Sequence, residues 1–166
     1  AWRLAPALEM LRQQVNKAAP NRSRASDGTI GDAAHSSRKS DHNANSKGIV
    51  CALDLTHDPA DGCDAGAIAE SLKASNDPRI GYVIWNKRIW NPSIGPNWRA
   101  YSGANPHTKH VHISVKQNAE AWNDDREWKV SAAPTEPVTA ETPKPTTKPT
   151  LRQGSKGSEV RDLQAL

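Results

Sequence analysis

Four residues carry most of the chemistry this sequence can offer: His42, Asp54, His110 and His112. In the segment 105–115, NPHTKHVHISV, His110 and His112 alternate with Val111, Ile113 and Val115. That alternation predicts a strand with both imidazoles on the face opposite the apolar side chains, where both can reach a single ion or substrate atom. His107 enters the same neighbourhood from the preceding loop. Asp54 is the anomaly of the apolar run 49–55, where it stands between Leu53 and Leu55. An ionised carboxylate in a buried strand is costly unless it is paired or bound to a metal. Imidazole nitrogen and carboxylate oxygen are suitable zinc ligands, and three protein ligands leave a fourth position for water. A further group beside that water can accept its proton or stabilise a charged intermediate. Two other readings of the same residues stay open: histidines satisfied in a polar core or exposed, and a metal-free His/Asp acid–base pair.

The elements that must position these groups can be read in chain order. Leu4, Leu8, Leu11 and Val15 recur at helical spacing, which predicts an amphipathic first helix ending before Pro20. Residues 20–47 are polar and nearly free of large apolar side chains, as expected of a functional rim. That rim carries His35, Arg38, Asp41 and His42. Arg38 could bind a substrate carboxylate or polarise a scissile carbonyl, since arginine matches planar oxyanions. His35 could support a ligand, and His57, directly after the strand of Asp54, could orient one. Asp64 is placed to cap a helix over DAGAIAESLKAS with Ile68 and Leu72 facing inward. IGYVIWNKRIW reads as two short strands joined near Asn86 and Lys87. Residues 91–106 read as loop, with Trp98 and Tyr101 as rings that could face substrate. After the histidine strand, Trp122 and Trp128 are expected to pack back on a domain spanning residues 1–130.

Composition then shifts. Residues 131–150 are rich in Pro and Thr, which predicts an extended linker. Helical periodicity resumes in LRQGSKGSEVRDLQAL, residues 151–166, too short a piece to bury a core by itself.

A formal charge of +4 spread without a dense basic run argues against nucleic acid and suits an anionic polymer such as a bacterial wall. No stretch is apolar for long enough to insert in a membrane, and the chain opens without the charged-then-apolar order of a secretory signal. Cys51 and Cys63 could form a disulfide, remain free thiols or bind metal. No GxSxG elbow accompanies the serines near the histidines.

SDHN at 40–43, ALDL at 52–55 and HTKHVH at 107–112 resemble the motifs of the LAS-type zinc peptidases. That group includes D-alanyl-D-alanine carboxypeptidases, phage L-alanyl-D-glutamate endopeptidases and penicillin-insensitive murein endopeptidase. Over residues 3–116 the wider segments look like the peptidase module of endolysins from phages of actinobacteria. The resemblance implies a hedgehog or D,D-peptidase-like α+β fold, a small antiparallel β-sheet flanked by helices with one zinc ion in a cleft. His42, Asp54 and His112 then match the zinc ligands, His110 the histidine that assists water attack, and His107 an accessory histidine. Arg22 or Arg24 matches an upstream arginine that contacts substrate. Two features depart from the pattern. Eleven residues separate His42 from Asp54, a longer spacing than usual, and Lys109 stands where other members carry a carboxylate base.

Residues 151–166 resemble the opening of a small three-helix peptidoglycan-binding domain. The implied activity is hydrolysis of peptidoglycan stem peptides at an L-Ala–D-Glu or D-Ala-containing bond, by a monomer made in the cytoplasm of an infected host and acting at the bacterial cell wall. The rivals are a peptidoglycan amidase or glycosidase, and a non-catalytic wall-binding protein with a structural metal site.

Overall fold

The alternating histidine segment forms strand β7, His110–Val115, which is paired along both edges. The structure is a computed structural model that describes residues 1–31 and 40–134. These fall in one unit, Ala1–Pro134. Its elements begin with β1 (Arg3–Leu4), α1 (Pro6–Ala18), β2 (Ile49–Val50) and β3 (Ala52–Thr56). They continue with a 3-10 turn (Pro59–Asp61), α2 (Ala65–Ser75), β4 (Ile80–Trp85), β5 (Arg88–Trp90) and β6 (Arg99–Ala100), and after β7 comes α3 (Ala119–Trp122). Strands β3, β7, β4, β5 and β6 lie in that order in one sheet whose pairings are all antiparallel. The fold is α+β with a small antiparallel sheet flanked by helices, as expected.

The pleat sorts the sheet into two faces. Leu53, Leu55, Val83, Val111, Ile113 and Val115 join the buried core with Leu8, Leu11 and Val15 of α1 and Ile68 and Leu72 of α2. Asp54, His110, His112 and Ser114 alternate with these and point the other way. The register places Asp54 opposite His112 and Thr56 opposite His110. On the other edge of β7 the register slips by one residue between Ile80 and Tyr82, so Gly81 is an extra, bulged residue. Ile80 pairs with Val115 of the core face, while Tyr82 pairs with Ser114 of the histidine face. Without the bulge, strict alternation would turn the Tyr82 ring into the core. A β-carbon at Gly81 would sit 3.3 Å from the Ser114 carbonyl oxygen, which favours the smallest residue there.

Several local expectations hold. Asp64 caps α2 by accepting a hydrogen bond from the Ala67 amide at 3.0 Å. Asn86 and Lys87 form the two-residue turn between β4 and β5 with φ of 51° and 68°, the left-handed pair that such hairpins need. Trp122 and Trp128 are buried. Others are corrected. The apolar run 49–55 is interrupted at Cys51: β2 pairs parallel with β1, and only β3 joins the main sheet. The segment 91–106 is not all loop, because Arg99 and Ala100 pair with β5.

Cys51 and Cys63 are buried free thiols, not a disulfide. Cys51 precedes β3 and Cys63 pairs with Asp58 beyond its other end. The extended run between them spans roughly 20 Å, whereas a disulfide needs α-carbons within about 7 Å. Burial pushes the Cys51 thiol up to about 12 and raises Cys63 as well, so neither is a ready nucleophile.

Packing reaches past residue 130. The Ser131 amide donates to Ser71 Oγ, and the Ala132 carbonyl accepts from the Asp64 amide. From residue 135 onward, the segment expected as a linker and the whole of 151–166 lie outside the described residues.

The C-terminal run is tied down by Arg79. Its guanidinium pairs with both Asp77 carboxylate oxygens at 2.9 and 2.7 Å and donates to the carbonyls of Asp124, Arg126 and Glu127. It also stacks 3.7 Å from the centroid of the Trp128 ring. Arg79→Met would leave Asp77 and three carbonyls without this buried donor. Urea unfolding followed by tryptophan fluorescence is expected to show a loss of about 3–5 kcal/mol.

Candidate metal centre

The expected quartet converges. The Asp54 carboxylate is the hub: Oδ1 lies 3.0 Å from His112 Nδ1, and Oδ2 lies 3.2 Å from His42 Nε2 and 3.7 Å from His110 Nε2. His42, Asp54 and His112 each offer a ligand atom within 4.8 Å of the others. Around a tetrahedral zinc ion, neighbouring ligand atoms sit about 3.3 Å apart, close to the 3.2 and 3.0 Å that separate His42 and His112 from the Asp54 oxygens.

The far nitrogens of three histidines are held. His42 Nδ1 contacts the Thr29 carbonyl at 2.6 Å, His112 Nε2 contacts Ser114 Oγ at 2.8 Å, and His107 Nδ1 contacts the Asn105 carbonyl at 2.7 Å. A carbonyl can only accept, so His42 carries its proton on Nδ1 in the neutral form and presents a lone pair on Nε2 toward Asp54. His110 differs: both of its ring nitrogens are buried without a hydrogen-bond partner. His42, Asp54 and His112 form the floor of a cleft of about 500 Å³ whose walls include Tyr82, Tyr101, Asn105 and His107. Tyr82 stacks on His112 with ring centroids 5.4 Å apart, and Tyr101 meets His107 edge-on at 5.5 Å.

The rim segment sets the carboxylate. Gly28 pairs with Asp54 as an isolated bridge, its amide donating at 3.2 Å and its carbonyl accepting at 2.8 Å. Asp27 is fixed by Arg22 at 2.9 and 2.8 Å and accepts from the Thr56 amide and hydroxyl. A β-carbon on Gly28 would come 2.9 Å from Asp54 Oδ2, so the close approach requires glycine.

A family model described as the C-terminal domain of VldE matches residues 2–112, which takes in every member of the cluster. The chain belongs to that family. That family model describes neither a peptidase nor an endolysin domain, so the assignment to the LAS-type zinc peptidases, and with it to an endolysin module, is corrected. The likeness lay in short motifs around His42, Asp54 and residues 107–112. Such motifs reflect what a cation asks of imidazole and carboxylate, which unrelated chains can meet alike. No curated protein and no solved structure matched the chain.

The remaining expected site residues are dispersed. Arg22 has a fully buried side chain committed to Asp27, so it braces the rim and is not available to a substrate. Arg24 is exposed, and its carbonyl accepts from the Asp27 amide. Trp98 turns away from the cleft, donating to Glu70 at 3.2 Å beneath the Arg88 guanidinium. His57 faces α2 and not the cluster: its Nδ1 accepts from the Ala65 amide at 3.0 Å, and its ring packs on Trp85. His35 and Arg38 lie outside the described residues. Thr29, Ser114, Gly28 and Tyr82 were not singled out for these roles from sequence. Ser114 alone could have been, as the next residue of the pleat after His112.

Electrostatics follow from the hub. Burial alone would raise the Asp54 carboxyl, but hydrogen bonds from His112 and His42 outweigh it and hold the group well below the carboxylate range. Burial likewise opposes charge on His42, yet the adjacent Asp54 raises it above its ordinary value. Burial lowers His110, and it takes His107, beside His112 and His110, down to about 4.

Two outcomes are expected. Gly28→Ala should weaken zinc affinity about 10–100-fold in a protein that still folds, measured by chelator competition. The second concerns pH. A metal must displace the His42 proton, so zinc affinity should fall by up to about tenfold per pH unit below the raised His42 value, over a titration from about pH 8 to pH 6. In the metal-free protein the His42 contribution is full below its unfolded value of about 6.5 and is lost as pH rises through the folded one. The Asp54 contribution is full above about 3.9 and is lost as pH falls through its depressed value. Metal-free stability should therefore decline from about pH 6.5 upward, measured by urea unfolding at stepped pH.

Proposed function

We propose that the chain is a zinc-dependent hydrolase that cleaves peptide bonds in the stem peptides of bacterial peptidoglycan, at an L-Ala–D-Glu or D-Ala-containing bond. The observation that carries this reading is the convergence of His42, Asp54 and His112 on one point at the floor of an open cleft. His42 Nε2, His112 Nδ1 and an Asp54 oxygen are the atoms that would hold the ion. Two imidazoles and a carboxylate suit zinc and leave a position for water, as a hydrolytic site needs. Zinc bound there supplies a Lewis acid that acidifies water and polarises a carbonyl.

The chain's own groups do the rest. His110, kept neutral at pH 7 by burial, either takes the proton of the attacking water or supports the charge that develops on the carbonyl oxygen. Tyr82 and Tyr101 wall the cleft and flank the peptide, and Arg38 is the residue assigned to its carboxylate. The mildly basic chain and the motif of residues 151–166 favour a wall polymer as substrate, with 151–166 opening a wall-binding module and the Pro/Thr-rich residues after Pro134 as its tether. The protein would act as a monomer at the cell wall of the bacterium in whose cytoplasm it is made.

Digestion of purified peptidoglycan followed by mass spectrometry tests the reading. New peptide termini within the stem are expected, abolished by chelation and restored by zinc. Asp54→Ala should lose both bound zinc and fragment release. New reducing sugar ends would mean a glycosidase, and a variant that kept its zinc and its lytic rate would remove Asp54 from the site.

A further inference from the structure

The cleft holds more ligand-bearing side chains than one ion can use. Besides His42 and His112, a second set of Asp54, His107 and His110 brings one ligand atom each within 4.8 Å of the others. Asp54 belongs to both sets. Its Oδ2 faces His42 Nε2 at 3.2 Å on one side and His110 Nε2 at 3.7 Å on the other. We propose that Asp54 is a bridging carboxylate and that His107 and His110 hold a second divalent transition-metal ion beside the first. The inference rests on the reading of His42, Asp54 and His112 as a metal centre and deepens it.

Three observations converge on a second cation. The first is the state of His110. A buried polar atom without a partner loses its hydration uncompensated, and this ring has two such nitrogens. One assisting imidazole needs a single free nitrogen toward water and could have its other nitrogen satisfied, as His42, His107 and His112 do. The second is His107. Its Nδ1 is engaged by the Asn105 carbonyl at 2.7 Å, so in the neutral ring the proton sits there and Nε2 keeps its lone pair. The rings of His107 and His110 meet edge-on with centroids 5.0 Å apart. The third is backbone. His107 adopts φ 57°, an unusual conformation for a residue with a side chain, held by its own amide donating to Asn105 Oδ1 at 2.9 Å. A residue that only filled space would not require that conformation.

Two imidazoles and a shared carboxylate form the nitrogen–oxygen set that zinc, cobalt or manganese accepts. Carboxylate-bridged ion pairs sit about 3.5–4 Å apart and together stabilise attacking and leaving oxygens. His110 would then support the developing charge through the ion it ligates.

The test is metal stoichiometry on the full chain, with zinc or cobalt as the only metal added. After equilibrium dialysis against a limiting free concentration, two ions per chain are expected by elemental analysis. His107→Ala and His110→Ala should each reduce the count from two to one, and Asp54→Ala should reduce it further. The cobalt-loaded protein should show magnetic coupling between the two ions in electron paramagnetic resonance, lost in either histidine variant. One ion in the unaltered chain, with His42→Ala removing it, would overturn the second site and leave the metal centre standing. Two ions that persist in both His107→Ala and His110→Ala would also overturn it. No ion at all would remove both readings.

Discussion

The carboxylate of Asp54 is the constraint on which the arrangement turns. A strand between a helix-covered face and a cleft is a poor place for a negative charge, because its hydration is largely lost there. With only 14% of its side chain exposed, the group must be compensated by the protein. Compensation comes from nitrogens on two separate elements. His112 arrives across the sheet in direct register, and His42 arrives from the end of the rim segment. The depressed carboxyl and the raised His42 are two views of the same pairing. A divalent cation could take the place of the His42 proton in that role, with more charge in the same space.

That geometry depends on a division of labour between the faces of the sheet. Alternation in β3 and β7 sends Leu53, Leu55, Val111 and Ile113 into the core and Asp54, His110 and His112 into the cleft. β4 cannot join by alternation alone, since Ile80 and Tyr82 would then share a face. The bulge at Gly81 resolves this by inserting one residue, which keeps Ile80 in the core and lays the Tyr82 ring on His112. Stability and the site are thus built from the same strands. A substitution on the core face reaches the cleft through the backbone it shares with the histidines.

How far the sequence foretold this depends on whether the signal is local. The β7 alternation, the α2 cap at Asp64, the turn at Asn86 and the oddity of Asp54 all lie within a few residues, and each was legible. Asp54, His110 and His112 were legible too, because residue type and pleat parity together select them, whereas His42, on a turn outside the sheet, was selected by residue type alone. The roles of Gly28, Thr29 and Tyr82 depend on pairings across the chain. Nothing local ties Gly28 to the site, yet a β-carbon there would lie 2.9 Å from Asp54 Oδ2. Arg22 and His57 look available as polar residues near the motif, but each has a nearer obligation, to Asp27 and to the start of α2. The family was the sharpest divergence: short ligand motifs resembled one group, while the match over residues 2–112 is to another.

The loop that carries His107 shows where folding energy is spent on the cleft. Lys87 and His107, neither a glycine, hold φ of 68° and 57°. Each such conformation costs about 1 kcal/mol or more. The two are locked to one another: the Asn86 amide donates to the His107 carbonyl and the Lys87 amide to the Pro106 carbonyl, each at 2.8 Å. The hairpin turn therefore presents its amides to the loop and not to solvent, and the loop in turn points an imidazole at the cluster. A tight turn could have used glycine, and a surface loop could have left its histidine in water. The turn and the loop thus hold one another, and the loop fixes the His107 ring beside His110.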